Sequence, residues 1–211
     1  MKPPADAVSA LNGNFRSLLM NYIRAQALPV DKYGHQPRLY ALTKLVGEGV
    51  TYDDDIVFAA TWLHDLGVFA GHRPEDPVAL AAWDNVRYAM EKSPAVLAQC
   101  GFAATKVAEV VEVIRTHQPH LKPTTIEGVV LRDADILEQL GAIGILRAVA
   151  KVGRDTRYPT FTEAVANLRK ALEMLPALVA LDTTKKLAEA KIDLLRDFLS
   201  GVDQEAHGAL Y

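Results

Sequence analysis

Apolar residues recur at three- and four-residue spacing through almost the whole chain, and no segment alternates with period two over more than four residues. Three- and four-residue spacing gathers apolar side chains on one face of a helix, whereas a half-buried strand needs alternation, so the pattern confines the chain to an all-α architecture. The first expected helix runs from Val8 to Leu28, with Phe15, Leu18, Leu19, Tyr22 and Ile23 on its apolar side, and ends before Pro29. A second starts near His35, has Pro37 in its first turn and reaches Gly47. A third starts at about Asp54, places acidic residues where the helix dipole favours them, and stops at Gly67. Its run Ile56-Val57-Phe58-Ala59-Ala60-Thr61-Trp62-Leu63 reads as a buried helix.

Further along, Asp76 and Pro77 read as the N-cap and first-turn proline of a helix to about residue 92, followed by helices at about 94–100, opened by Ser93 and Pro94, and 103–116. Thr125 caps a helix containing Val129, Val130, Leu131 and Ile136. Gly141 and Gly144 permit a tight turn before a helical stretch from Leu146 to Val152, and Gly153 to Pro159 is a loop carrying Arg154 and Arg157. Thr160-Phe161-Thr162-Glu163 has capping-box spacing, and Asp182-Thr183 opens a last long helix. No repeat or low-complexity tract divides the chain, so residues 1–211 are expected to form a single helical domain.

Composition limits the partners. A chain of 211 residues that is 50% hydrophobic and 23% charged can bury a full core, and a formal net charge of −3 leaves no broad basic surface for duplex nucleic acid. A small anionic substrate needs only a local cluster of arginine and lysine. One cysteine, Cys100, excludes an internal disulfide framework and fits a reducing compartment. Met1-Lys2-Pro3-Pro4 does not read as a signal peptide, and no apolar run approaches the length of a membrane span, so the expectation is a cytoplasmic protein without a membrane partner. A homodimer is left open.

The chemistry concentrates at His64-Asp65, where an imidazole and a carboxylate stand side by side at the end of the buried helix, with His35 upstream and Asp133-Ala134-Asp135 downstream. Nitrogen and oxygen ligands on rigid helices suit one divalent transition metal ion, with Mn, Fe, Co, Ni and Zn all compatible. Asp133 and Asp135 lie two residues apart and on a helix point roughly 200° away from each other, so both cannot hold the same ion.

The succession of His35, His64-Asp65 and Ala134-Asp135-Ile136-Leu137 resembles the HD-domain superfamily of metal-dependent phosphohydrolases. The stretch from Asp133 to Ile145 is similar to the signature of small bacterial HD hydrolases that act on nucleotides. The likeness covers about residues 30–155, which makes that span the HD helical bundle and about 160–207 a C-terminal helical extension packed on it. It implies His35, His64, Asp65 and Asp135 as metal ligands, Asp135 being the aspartate that follows Ala and precedes x-Leu. Asp133 is then a solvated carboxylate or one that steadies a ligand imidazole. It further implies hydrolysis of a nucleotide or other small phosphate ester by metal-activated water.

His117 resembles the histidine that many members carry at the end of the corresponding helix, as acid catalyst, phosphate hydrogen bonder or second-metal ligand. His72 and Glu75, in the loop after the metal motif, are the other catalytic candidates, and Arg38, Lys122 and Arg73 are the candidates for binding substrate phosphate. Two departures stand out. Many members have Glu-Asp-His-Ala where this chain has Glu75-Asp76-Pro77-Val78, which removes a ligand for a second ion and favours one metal. Many also carry Glu or Lys shortly after the His-Asp pair, where Leu66, Val68 and Phe69 stand here, so the general acid stays open. The run His35-Gln36-Pro37-Arg38-Leu39-Tyr40 is also similar to the cyanamide-hydratase-like HD proteins, which implies a hydratase or lyase as the alternative reaction. A di-iron oxygenase is weakened by Pro77, and a non-catalytic ligand-binding HD module is the alternative from outside the enzymes.

Overall fold

Helix α3 (Asp54–Leu63) lies at the centre of the computed structural model, which describes residues 5–154 and 158–211, because it has almost no polar face to show. All eight residues from Ile56 to Leu63 are buried. Its free N-terminal N–H groups are met by Asp53, whose carboxylate accepts from Asp55 and Ile56. Around it pack α1 (Ala5–Gln26), α2 (His35–Val46), α5 (Asn85–Gln99), α6 (Val107–Thr116) and α7 (Ile126–Gln139). Phe15, Leu19 and Ile23 of α1 are fully buried, and the Phe15 ring stands edge-on to Phe58 at 5.8 Å and to Phe102 at 5.0 Å.

Helix α7 divides two hydrophobic clusters. Val130, Leu131, Ala134 and Leu137 join the core around α3, while Ile136 and Leu140 join a second cluster with Leu168, Leu195 and Leu199. That second cluster holds α8 (Gly141–Val149), α9 (Phe161–Met174) and α10 (Asp182–Ala206) onto the bundle. The chain turns between α7 and α8 at Gly141, whose φ of +69° lies in the left-handed region that a residue with a Cβ rarely adopts. The expected capping box is present at the start of α9: Glu163 accepts from the Thr160 N–H, and Thr160 Oγ1 accepts from Thr162. Among the described residues there are ten α-helices and no strand, and no helix is long and apolar enough to cross a membrane. Arg157 lies outside the described residues.

Several boundaries differ from the sequence reading, among them that of α8, which runs Gly141–Val149 where a helical stretch from Leu146 to Val152 was expected. The helix expected from Pro77 to residue 92 is split into a short α4 (Pro77–Ala81) and the longer α5, because Asp84 caps the new start by accepting from the Arg87 N–H at 2.9 Å. Helix α5 then runs through Pro94, where a new helix was expected. Ser93 is not its cap: its hydroxyl donates to Ala89 O at 2.6 Å, the back-bond of a serine inside a helix.

Asp133 also behaves differently from its expected solvated or imidazole-supporting role. It is wholly buried on the face of α7 away from Asp135, and its carboxylate accepts the N–H of Ala180 at 3.1 Å and of Leu181 at 2.8 Å. These are the residues that lead into α10, so a carboxylate distant in sequence anchors the start of the C-terminal helix. Replacing Asp133 by Ala strands two amide donors. Urea unfolding should register a loss of about 2–4 kcal/mol, the scale of leaving buried donors unsatisfied, with metal content unchanged.

Candidate metal centre

His35 is the first residue of α2, immediately after the 3-10 turn Val30–Gly34, so its side chain leaves from the helix mouth toward α3 and α7. His64 is the last residue with α-helical backbone in α3, and Asp65 follows with φ −97° and ψ 12° before a 3-10 turn, Leu66–Val68. Consecutive residues within a regular helix point about 100° apart. Here the helix ends between them, and Asp65 Oδ2 comes within 3.7 Å of His64 Nε2. The turn can lie so close to α5 because residue 67 is glycine: a Cβ there would sit 2.6 Å from Asn85 O.

His35, His64 and Asp135 each offer a ligand atom within 4.8 Å of the others. His35 Nε2 is 3.2 Å from His64 Nε2, 3.5 Å from Asp65 Oδ2 and 3.8 Å from Asp135 Oδ1. Asp135 is steadied by the Gln139 amide, which donates to Oδ2 at 3.2 Å.

Hydrogen bonding fixes the tautomers. His64 Nδ1 faces Thr61 O at 2.9 Å, His117 Nδ1 faces Ile114 O at 2.6 Å, and His35 Nδ1 faces the Glu138 carboxylate at 2.6 Å. Each partner can only accept, so each Nδ1 carries the proton and each Nε2 presents a lone pair. Two buried lone pairs 3.2 Å apart repel unless a cation lies between them. Two nitrogens bound to one ion at about 2.1 Å are separated by roughly 3.0–3.4 Å in octahedral or tetrahedral geometry, and the observed separation fits that requirement. The donors of His35, His64 and Asp135 therefore suit a divalent transition metal ion, and Asp65 stands beside the two histidines.

Electrostatics agree with that arrangement. Burial pushes the Asp65 pKa up, but the cationic forms of His64 and His35, with Arg147, hold it well below the usual carboxylate range, an effect that a bound cation would also have. Burial and the neighbouring His64 lower the His117 pKa, which favours the neutral imidazole. Glu138 is 3% exposed and stays ionised despite burial, because His35, Arg147 and Arg38 pull its pKa down.

The centre opens into a cavity of about 620 Å³. Its wall brings together the four expected ligands with His117, Arg38 and Arg73. His72, Glu75 and Lys122, expected in catalysis and substrate binding, are not among the lining residues. The His72 ring is engaged on both sides: Nε2 donates to Gln26 Oε1 at 2.8 Å and Nδ1 accepts from the Tyr88 hydroxyl at 2.9 Å. Glu75 and Lys122 are exposed. Arg132 Nη1 fastens the turn before Lys122 by donating to Leu121 O at 3.0 Å.

Sequence reasoning missed Glu138 and Arg147. Glu138 could have been found, since it stands three residues after Asp135 and so on the same helical face. Arg147 carries no comparable signal, because it reaches the cavity from α8 only through the turn at Gly141.

No family model matches the chain. A protein of Bacillus subtilis named YpgQ is 26% identical over 182 residues, spanning 82% of this chain and 83% of that protein. The crystal structure of B. subtilis YpgQ in complex with ADP is similar over 94% of this chain and 98% of its own, with a TM-score of 0.70 and 23% identity. An HD-superfamily hydrolase from Bacillus thuringiensis is similar over 94% of this chain and 99% of its own, with a TM-score of 0.66 and 20% identity. A predicted HD-superfamily hydrolase from an uncultured Thermotogales bacterium covers 89% of this chain and 90% of its own, with a TM-score of 0.60 and 22% identity. The fold is that of the HD-domain superfamily.

Loss of a ligand should be visible in metal content. The His64→Ala and Asp135→Ala proteins, purified after Mn2+ or Co2+ loading, are expected to carry well under one ion per chain by elemental analysis while the wild type carries one. Stoichiometric metal in both variants would place the ion elsewhere.

Proposed function

We propose that the protein is a metal-dependent phosphohydrolase acting on a nucleotide or another small phosphate ester. The observation that carries this reading is the convergence of imidazole lone pairs and carboxylates at one end of a cavity whose walls also present arginines. The crystallisation of B. subtilis YpgQ with ADP supports a nucleotide ligand in this fold. The cavity volume of about 620 Å³ lies within the usual range of small-molecule sites.

The ion held by His35, His64, Asp65 and Asp135 would supply Lewis acidity, polarising the phosphoryl group and acidifying water. Arg38, Arg147 and Arg73 bind and orient the anionic groups of the substrate, a task for which the planar guanidinium is suited. His117 enters as a neutral imidazole with Nδ1–H committed to Ile114 O, so its Nε2 is poised to accept a proton from the attacking water. That makes it a base at the start of the reaction, a role beside the acid, phosphate-binding and second-metal roles expected from the sequence. The same proton then becomes available for return to the departing oxygen.

A hydratase for a small neutral nitrile is less well matched. Such a substrate needs neither the volume nor the arginines, and Tyr40, part of the likeness to that group, is engaged elsewhere. Its hydroxyl donates to Asp54 Oδ2 at 2.9 Å and accepts from Arg16 Nη1 at 2.7 Å.

The test is a panel of nucleoside mono-, di- and triphosphates, simple phosphate esters and cyanamide, assayed with Mn2+ or Co2+ and again with excess EDTA. Metal-dependent release of phosphate or pyrophosphate is expected; turnover of cyanamide alone would overturn the assignment. Within an active protein, His117→Ala should keep the ion and lower kcat by roughly a hundredfold or more, the scale of a positioned proton-transfer group. Full activity in that variant would remove His117 from the mechanism.

A further inference from the structure

Among the described residues Glu138 is the one carboxylate in the cavity wall that the proposed metal centre does not use as a ligand, and every donor it accepts from has a place in the proposed chemistry. Its Oε2 takes the Nδ1–H of the metal ligand His35 at 2.6 Å and Arg147 Nη1 at 2.5 Å, and its Oε1 takes Arg38 Nε at 2.9 Å. The three partners come from two separate helices, α2 and α8, and Glu138 stands on α7 between them. Each guanidinium makes this contact through one nitrogen, and both arginines line the cavity, where Arg147 also acts on Asp65.

We propose that Glu138 is a positioning residue that couples the metal centre to the substrate-binding arginines: it holds His35 with Nε2 toward the ion and Arg38 and Arg147 toward the anionic part of the substrate. The proposal rests on the phosphohydrolase reading above. Its physical content is that one buried carboxylate orients both halves of the site. A carboxylate behind a ligand imidazole fixes the ring and raises the basicity of the coordinating nitrogen. The two cations, in turn, allow the carboxylate to remain buried and charged between them. A neutral amide cannot do this. Glu138→Gln would turn an NH2 group toward at least one of three donors, and the ring of His35 would lose its negative partner.

Titration of the metal-free protein with Co2+, followed by visible absorption, separates this role from a structural one and needs no substrate. The Glu138→Gln protein should bind Co2+ roughly 10- to 100-fold more weakly, the usual cost of losing such a supporting group, and with an altered ligand-field band. Its far-ultraviolet circular dichroism should match that of the wild type. Glu138→Asp, which keeps the charge on a shorter arm, should fall between the two. Arg147→Lys should leave Co2+ affinity and the band unchanged while raising KM for the phosphate substrate more than it lowers kcat. Wild-type affinity and spectrum in Glu138→Gln would overturn the proposal, as would a weakening accompanied by loss of helical signal. A wild-type protein that takes up no Co2+, Mn2+ or Zn2+ would overturn the metal centre itself, and that result is distinguishable from failure of Glu138 alone.

Discussion

Two imidazole nitrogens, each presenting a lone pair, face one another at 3.2 Å among buried side chains, and the molecule is arranged to keep them there. Left alone this contact is unfavourable, because neither nitrogen can donate to the other and little water reaches either. Asp65 and Asp135 add negative charge within 3.8 Å of His35 Nε2, which only a cation can offset, and the Nδ1 positions of His35 and His64 are tied to Glu138 and Thr61 O. Helix packing sets those distances, so the core around α3 serves the site directly. Buried ionisable groups in this number make sense as a receptor for a cation.

Much of this was legible in the sequence. The unbroken apolar run Ile56–Leu63 marked the central helix and its C-terminal end as the place where His64 and Asp65 emerge, since a helix apolar on all sides can only be interior. The two-residue spacing of Asp133 and Asp135 required them to face different ways, and they do: Asp135 faces the metal centre and Asp133 the start of α10. The purpose of Asp133 was not legible, because its partners are backbone amides 47 and 48 residues away. The continuity of α5 through Pro94 was hidden for another reason. Local propensity argues for a break there, but Val86, Ala89, Ser93, Val96 and Leu97 form one buried stripe, and tertiary packing outweighs a single proline.

The division of labour along α7 explains how one short segment came to hold so much of the resemblance. Its residues alternate between two cores and a polar centre: Ala134 and Leu137 face α3, Ile136 and Leu140 face the C-terminal helices, and Asp135, Glu138 and Gln139 line the cavity. With a period of 3.6, a helix packed on two sides keeps only one narrow stripe for chemistry, and spacings of three and four residues are what that stripe allows. Substitutions on this helix therefore cannot be neutral on any side except where it faces solvent.

The loop after the metal motif is fastened to the bundle at several points. His72 was a candidate because it follows the His-Asp pair closely, yet it is spent on Gln26 and Tyr88, joining the loop to α1 and α5. The Trp83 indole adds a second tie by donating to Gly67 O at 2.8 Å, and Gly67 itself lies against Asn85. A loop fastened at both ends of the segment Gly67–His72 has little freedom left, and Arg73, the next residue, lines the cavity. A cation held this way gives up less conformational freedom on meeting an anionic ligand than one on a loose loop. The hydrogen bonds of His72 thus hold the segment that leads into Arg73.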